Sequence, residues 1–546
     1  MLRCRQRAGR AASVLRHHPG RRFGNAALAR RRSGQPLLVG ATAAALVSGT
    51  AATTAAHAAP LHTATIATTA TTTGTPPATT APLSTGTAAV RNHELLVRFR
   101  ATGQLQRIRV ADNEDPLALA RTLRRRTDLF SSVGANLIAT AAATPATPAT
   151  AATAAQATTE LSVPASATIA APRSLKGWIP DDHIGDIAWT GLQWNFVGHW
   201  GVNATQAWQT LRARSAATAG GRNVRIAVVD SGLAYRDRDE YRQSPDIDPS
   251  RVLAGYDFVD QDRFPDDASG HGTHVASTIA AATDNAVGLT GLAYNAEILP
   301  IRVLDDQDAG DVLAIARGIR YAIRRHADLI NLSVDFPVTT TAADIPEVIS
   351  AVDAARRAGI LVIASSGNDG VGRIAYPARA GSVLAVGATT ARGCRSTFSN
   401  GGDELALVAP GGGTDHSGEA SDRCLPGQSG PPIAQVTLMR PGFPSNLGIP
   451  LDFYGTSMAA AHVTGIAALV LGSRLLGRHP SPELLAAYLV RATRDLGPTG
   501  RDAHYGAGLI DAEEAVSRTG VAARLRGAAR AVATAARKHQ RALPIR

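Results

Sequence analysis

Acidic residues are missing from both ends of this chain: none precedes Glu94 and none follows Glu514 in 546 residues. The formal net charge of +12 is therefore a property of the ends. Before position 93 stand 11 Lys and Arg residues and after position 516 stand 8, which leaves 37 bases against 44 acids between them. A mildly acidic middle, with basic stretches that lack interleaved aromatics, argues against a nucleic-acid partner. Aromatics are scarce too, 4% overall and almost none in the first 92 residues, where Arg, Ala and Thr dominate. Such a segment cannot build a core. Of three cysteines, Cys4 lies in a segment expected to be removed. The remaining even pair, Cys394 and Cys424, favours a disulfide over two buried free thiols, although sequence carries no geometry.

What is present divides the chain into six stretches. Residues 1–58 read as a secretory signal, with an Arg-rich start, a short apolar run from Pro36 to Val47 and the pattern Ala56-His57-Ala58. The run is too short for a membrane span of about 20 residues. A mitochondrial transit peptide or an over-extended reading frame are the alternatives; the pairs Arg21-Arg22 and Arg31-Arg32 hint at export of a folded protein. Export puts the product outside the cell, at the envelope or in the periplasm. Residues 59–89 form a Thr/Ala/Pro tract, expected to be a disordered spacer. Residues 90–140 predict a small α+β unit, with strands in 94–100, 106–112 and 129–140 and a helix in 115–126. Residues 141–186 read as an Ala/Thr/Pro linker holding a maturation site, 187–516 as one large domain, and 517–546 as a basic tail. The tail has a weak apolar face and reads as a solvated, removable extension rather than a helix for anionic surfaces.

In the large domain, apolar runs at 224–230, 297–305, 328–334, 360–367 and 382–388 read as buried strands, and the patterns at 312–326 and 346–359 as helices. That alternation predicts an α/β fold, a doubly wound, mostly parallel sheet with helices on both faces. Sites in such sheets lie at the carboxyl ends of strands. Asp230 closes the first strand, although an Asp capping a turn would look the same. Gly270-His271-Gly272-Thr273-His274 and Gly455-Thr456-Ser457-Met458 each set a reactive side chain beside glycine at the start of a helix, where free N–H groups meet developing negative charge. The spacing of His271 and His274 lacks the Glu and the four-residue step of a zinc-protease helix, so no metal is assigned to that pair.

Together VVDSG, GHGTHVA and GTSMAAAHV, in that order, resemble the subtilase family of serine peptidases over roughly residues 190–516. The resemblance implies a subtilisin-like secreted endopeptidase in which Ser457 is the nucleophile, His271 takes and returns its proton and Asp230 orients the imidazole. It implies Asn368, in Ser366-Gly367-Asn368-Asp369, as an oxyanion donor beside the Ser457 N–H. Ser333-Val334-Asp335 and the segment around Gly310 match the stretches that flank extended substrate, with Gly367 and Asp369 as a further wall of the pocket for the residue before the cut. No cofactor is needed for the chemistry. The stretch Thr283–Leu289 resembles a calcium loop, with Asp239 as carboxylate, a plain polar loop being the other reading. Partners are protein or peptide substrates and the chain's own 90–140 unit, which resembles a pro-segment acting as intramolecular inhibitor; the expected state is a monomer. Ala461 and Tyr294 replace prolines common in the family, changes that touch no catalytic group. The rival function is an inactive subtilase fold used for binding. A kexin-type processing enzyme would need a further domain of about 140 residues after Val516, where only 30 residues remain.

Overall fold

The computed structural model describes residues 89–142, 175–215, 219–417, 423–517, 524–530 and 532. The expected signal, nearly all of the spacer, most of the linker and much of the tail lie outside these. Among the described residues no helix is long and apolar enough to cross a membrane.

A nine-stranded sheet forms the centre of the large domain. Its strands run in the order Thr493–Arg494, Leu509–Ile510, Leu407–Pro410, Val383–Thr389, Leu361–Ser365, Leu329–Leu332, Arg225–Asp230, Glu297–Arg302, Tyr256–Asp257. Every pairing is parallel except the one at the Thr493–Arg494 edge. The chain passes from Arg225–Asp230 to the strand on one side, then returns to Leu329–Leu332 on the other. That reversal opens a crevice at the carboxyl ends, beside Asp230 and Ser333.

Alternation along the strands divides the core into two layers. Ile226, Val228, Leu361 and Ile363 face one layer, packed with helices Ala204–Arg214, His271–Ala280 and Thr456–Gly472. Ala227, Val229, Val362 and Ala364 face the other, packed with helices Val312–Arg324 and Pro346–Arg357. Residues before the first sheet strand belong to the first layer as well: Trp189 and Trp208 are fully buried, and Trp178 meets Trp208 edge-on at 5.9 Å. Tyr294, at a family proline position, joins this group by packing on Trp178 and Trp208. Cys394 and Cys424 form a disulfide with Cα atoms 5.6 Å apart.

The small unit has three antiparallel strands, Val90–Phe99, Leu105–Arg109 and Phe130–Ala141, and one helix, Pro116–Leu123. The helix starts where sequence says it should, with Asp115 accepting the Leu117 N–H and proline in the first turn. This unit rests on the second helical layer. Arg98 pairs with Glu347 at 2.6 Å and Arg124 with Asp344 at 2.9 Å. Gly134 lies so close to helix Pro346–Arg357 that a Cβ there would stand 2.6 Å from both the Asp344 carbonyl and Pro346 Cδ.

Candidate active site

Asp230 ends its strand, His271 opens its helix and Ser457 is the second residue of its own, so three different elements converge on the crevice. Glycine makes the approach possible at two places. Gly270, at φ +101°, turns the chain into the His271 helix, and a Cβ on Gly272 would stand 2.3 Å from the Gly232 carbonyl and 3.2 Å from Asp230 Oδ1. His271 Nδ1 and Asp230 Oδ1 are 2.6 Å apart, with both side chains buried. A carboxylate partner holds the proton on Nδ1 and leaves Nε2 as the base. His271 Nε2 is buried without a hydrogen-bond partner, and the Ser457 hydroxyl donates to the Ser333 carbonyl at 3.3 Å. Asp230 and His271 are thus joined, while the Ser457–His271 hydrogen bond is not made in this state.

Burial is the largest single influence on His271 and disfavours its protonation. The charge and hydrogen bond of Asp230, with the charges of Asp308 and Asp267, outweigh it and push the imidazole up to about 9. Sequence reasoning missed these two carboxylates. Asp267 accepts the N–H groups of Ser269, Gly270 and Thr273 and the Ser231 hydroxyl, organising the turn before His271. Asp308, pushed up to about 6 chiefly by burial, accepts a short hydrogen bond from Ser269. Its signal was its place directly before Ala309-Gly310-Asp311.

Asn368 follows Gly367, which is held at φ +102°. Its Oδ1 accepts the Thr456 N–H at 3.1 Å and the Thr456 hydroxyl at 2.9 Å, which aims Nδ2 away; Nδ2 is buried and unpartnered. A donor held ready in this way costs no reorganisation when charge develops.

The chain's own segment occupies the crevice. Strand Phe130–Ala141 runs antiparallel to both flanking stretches: Ile138, Ala139 and Thr140 lie opposite Asp311, Gly310 and Ala309, and Thr140 and Ala141 lie opposite Asp335 and Val334. At its end the Ala142 N–H donates to Ser333 at 3.2 Å, and the Ala142 carbonyl accepts the Ser457 N–H at 3.2 Å. Asp335 is half-buried. Desolvation first, then the charge of Asp369, pushes its carboxyl up to about 8 against the opposing charge of His271. Asp369 accepts from Asn400 Nδ2 at 2.9 Å. Of the ten residues expected at the site, Gly310, Ser333, Val334, Asp335 and Ser457 meet the seated segment, Asp230 meets His271 and Asn368 meets Thr456 beside Ser457, and Gly367 and Asp369 flank Asn368 along the chain.

His274 is not poised for a metal: Nε2 meets the Ile433 carbonyl at 2.8 Å and the ring stacks on Phe453. The loop at 283–289 does not gather Asp239, which pairs with Arg238 at 3.0 Å. Asp181, which accepts the Ala286 N–H at 3.0 Å, Asp182 and Asp246 are the carboxylates that meet it. Asp182 accepts the N–H groups of Asp284 and Asn285, and Asp246 that of Leu289.

The subtilase family model matches residues 221–508. The chain belongs to the subtilase family and is a serine endopeptidase. It is 35% identical to subtilisin DY of Bacillus licheniformis over 301 residues, 54% of this chain and 91% of that protein. It is 33% identical to subtilisin Savinase of Lederbergia lenta over 318 residues, 58% of this chain and 97% of that protein. A solved protease of Pseudoalteromonas arctica covers 62% of this chain and 99% of its own, at 28% identity and a TM-score of 0.49.

Proposed function

We propose that this chain is an exported, self-maturing endopeptidase that uses Asp230, His271 and Ser457 as its triad and first cuts itself between Ala142 and Ala143. The observation that carries the reading is the Ala142 carbonyl on the Ser457 N–H at 3.2 Å, with the strand before it in register on both flanking segments. In this reading Ser457 Oγ attacks the Ala142 carbonyl carbon while His271 Nε2 takes the hydroxyl proton, and the Ser457 N–H and Asn368 Nδ2 hold the oxyanion. The proton then passes to the leaving amine, and water hydrolyses the ester. Until it departs, the 90–142 unit blocks the crevice even after its covalent link is cut. The binding-only alternative has no use for a buried, unpartnered Asn368 Nδ2 or for an imidazole bound to a buried carboxylate with its Nε2 left unpartnered.

Ser457→Ala should abolish peptide hydrolysis and leave the precursor joined at Ala142–Ala143 by mass spectrometry. Asn368→Ala should keep the cut but slow it about 10² to 10³-fold. A Ser457→Ala chain that still matures alone, without added enzyme, ends the self-maturation reading.

A structural calcium at the 283–289 loop belongs to the same reading, held by Asp246 rather than Asp239. Asp246 is fully buried, its Oδ1 has no hydrogen-bond partner, and burial raises its carboxyl well above the usual range. An oxygen-seeking cation would satisfy that orphaned atom.

A further inference from the structure

The seated segment shows what the crevice accepts. Ala139 is 0% exposed, Ala141 8% and Ala142 1%, whereas Thr140 points to solvent. The seated stretch is extended, adds as a strand, and places a small, buried residue at three of its four consecutive positions. Ala139 lies opposite Gly310, itself backed by the Val303 carbonyl and the Leu304 side chain, so that subsite has little depth to spare.

The same four residues, Ala-Thr-Ala-Ala, recur in this chain at 41–44, as an overlapping pair at 149–152 and 152–155, and at 533–536. Among the described residues they occur at 139–142 alone, so the folded body of the enzyme offers no second copy. The first recurrence lies in the expected export signal. The overlapping pair lies between the first cut and the folded domain, where cleavage would only trim the new N-terminus. The last is different, because it stands in the basic tail directly before Arg537 and Lys538.

We propose that the protease removes its own basic end by cutting after Ala536, releasing the ten residues Arg537–Arg546. This rests on the reading of Ala142 as the residue before the first cut. The chemistry is the same hydrolysis: Ser457 Oγ bonds to the Ala536 carbonyl carbon, the C–N bond to Arg537 breaks with the serine proton going to its nitrogen, and water frees the Ala536 carboxylate. The described contacts of the tail with the body precede this point. Helix residues Arg524–Arg530 are held by Arg524 on Glu514 at 2.6 Å and by the buried Ala528, so the cut leaves the anchor whole. The released peptide carries four of the eight bases after Val516 and no acid. Maturation would thus discard a large part of the positive charge that dominates the full chain.

The test uses the full-length Ser457→Ala precursor as substrate for a trace of mature wild-type enzyme, followed by intact-mass and peptide mass spectrometry. The expected result is cleavage at Ala142–Ala143 together with release of the intact peptide Arg537–Arg546. The precursor carrying Ala536→Pro as well should be cut at Ala142–Ala143 at an unchanged rate and keep its tail. Cleavage at Ala142–Ala143 with the tail retained to Arg546, or tail cleavage after Arg537 or Lys538 instead, overturns this inference and leaves the proposed function standing. Absence of cleavage at Ala142–Ala143 overturns the proposed function itself.

Discussion

In the proposed reading the pocket for the residue before the cut takes two carboxylates, Asp335 and Asp369, and the first is pushed up to about 8 by burial and by its neighbour's charge. With Ala142 seated, neither makes an ion pair among the described residues. A peptide with Arg in that position would bring a cation, and a peptide with Glu would add a third acid. A unit charge pair about 4 Å apart is worth about 1 kcal/mol in water and about 4 kcal/mol at an effective dielectric near 20. At about 1.4 kcal/mol per tenfold, the range is about 5-fold to several hundredfold in kcat/KM. Below pH 8 the cation must first displace the proton from Asp335, at about 1.4 kcal/mol per unit of pH. The Arg-to-Ala ratio of kcat/KM should therefore rise up to about tenfold per unit toward pH 8 and flatten beyond it. Taking a ratio cancels the ionisation of His271, which both substrates share. The assay is a set of peptides that copy Ala139–Ala141 and vary only the next residue, measured from pH 6 to 10 on the parent and on Asp335→Asn. Arg should exceed Glu at least about tenfold at high pH, and Asp335→Asn should flatten the rise. Equal rates for Arg, Ala and Glu, or an Arg-to-Ala ratio that ignores pH in the parent, would refute the reasoning.

Three other outcomes follow from the geometry. In the proposed mechanism His271 must be neutral to act as base, and it is pushed up to about 9 with the 90–142 unit seated, so first-cut rates should climb about tenfold per unit from pH 6 to 8 and level off near 9; a rate flat across that range contradicts the electrostatics. Reducing the Cys394–Cys424 disulfide, which spans 30 residues of chain, should cost roughly 3 to 4 kcal/mol of stability if chain entropy governs, read by denaturant unfolding with and without reductant. Asp246 is raised in the folded protein, so without calcium its contribution is present at low pH and lost as pH rises from the ordinary carboxylate range through the raised value. Calcium should consequently increase Tm more at pH 8 than at pH 5, and Asp246→Asn should remove that difference.

Local pattern and chemistry were enough to place the main strands of the central sheet and the elements of the small unit. Near-continuous apolar runs marked five parallel strands to within a few residues, since strands covered on both faces need no polar alternation. Asp115-Pro116 marked the start of the small unit's helix. Glycine-flanked Asp230, His271 and Ser457 stood out because glycine beside a reactive group, at a strand or helix end, lets substrate backbone come close to it. Two-residue strands such as Thr437–Leu438 and Leu447–Gly448 left no such mark, being too short to show a period. The tertiary structure alone could decide which carboxylates share an environment. Asp246 rather than Asp239 meets the 283–289 loop, and Asp308 and Asp267 act on His271, because electrostatic influence follows distance and burial in the fold, not spacing along the chain. The register that brings Ala142 to Ser457 likewise depends on strand pairing between segments about 170 to 195 residues apart. No local propensity encodes a pairing of that kind; it exists only once both sheets are built.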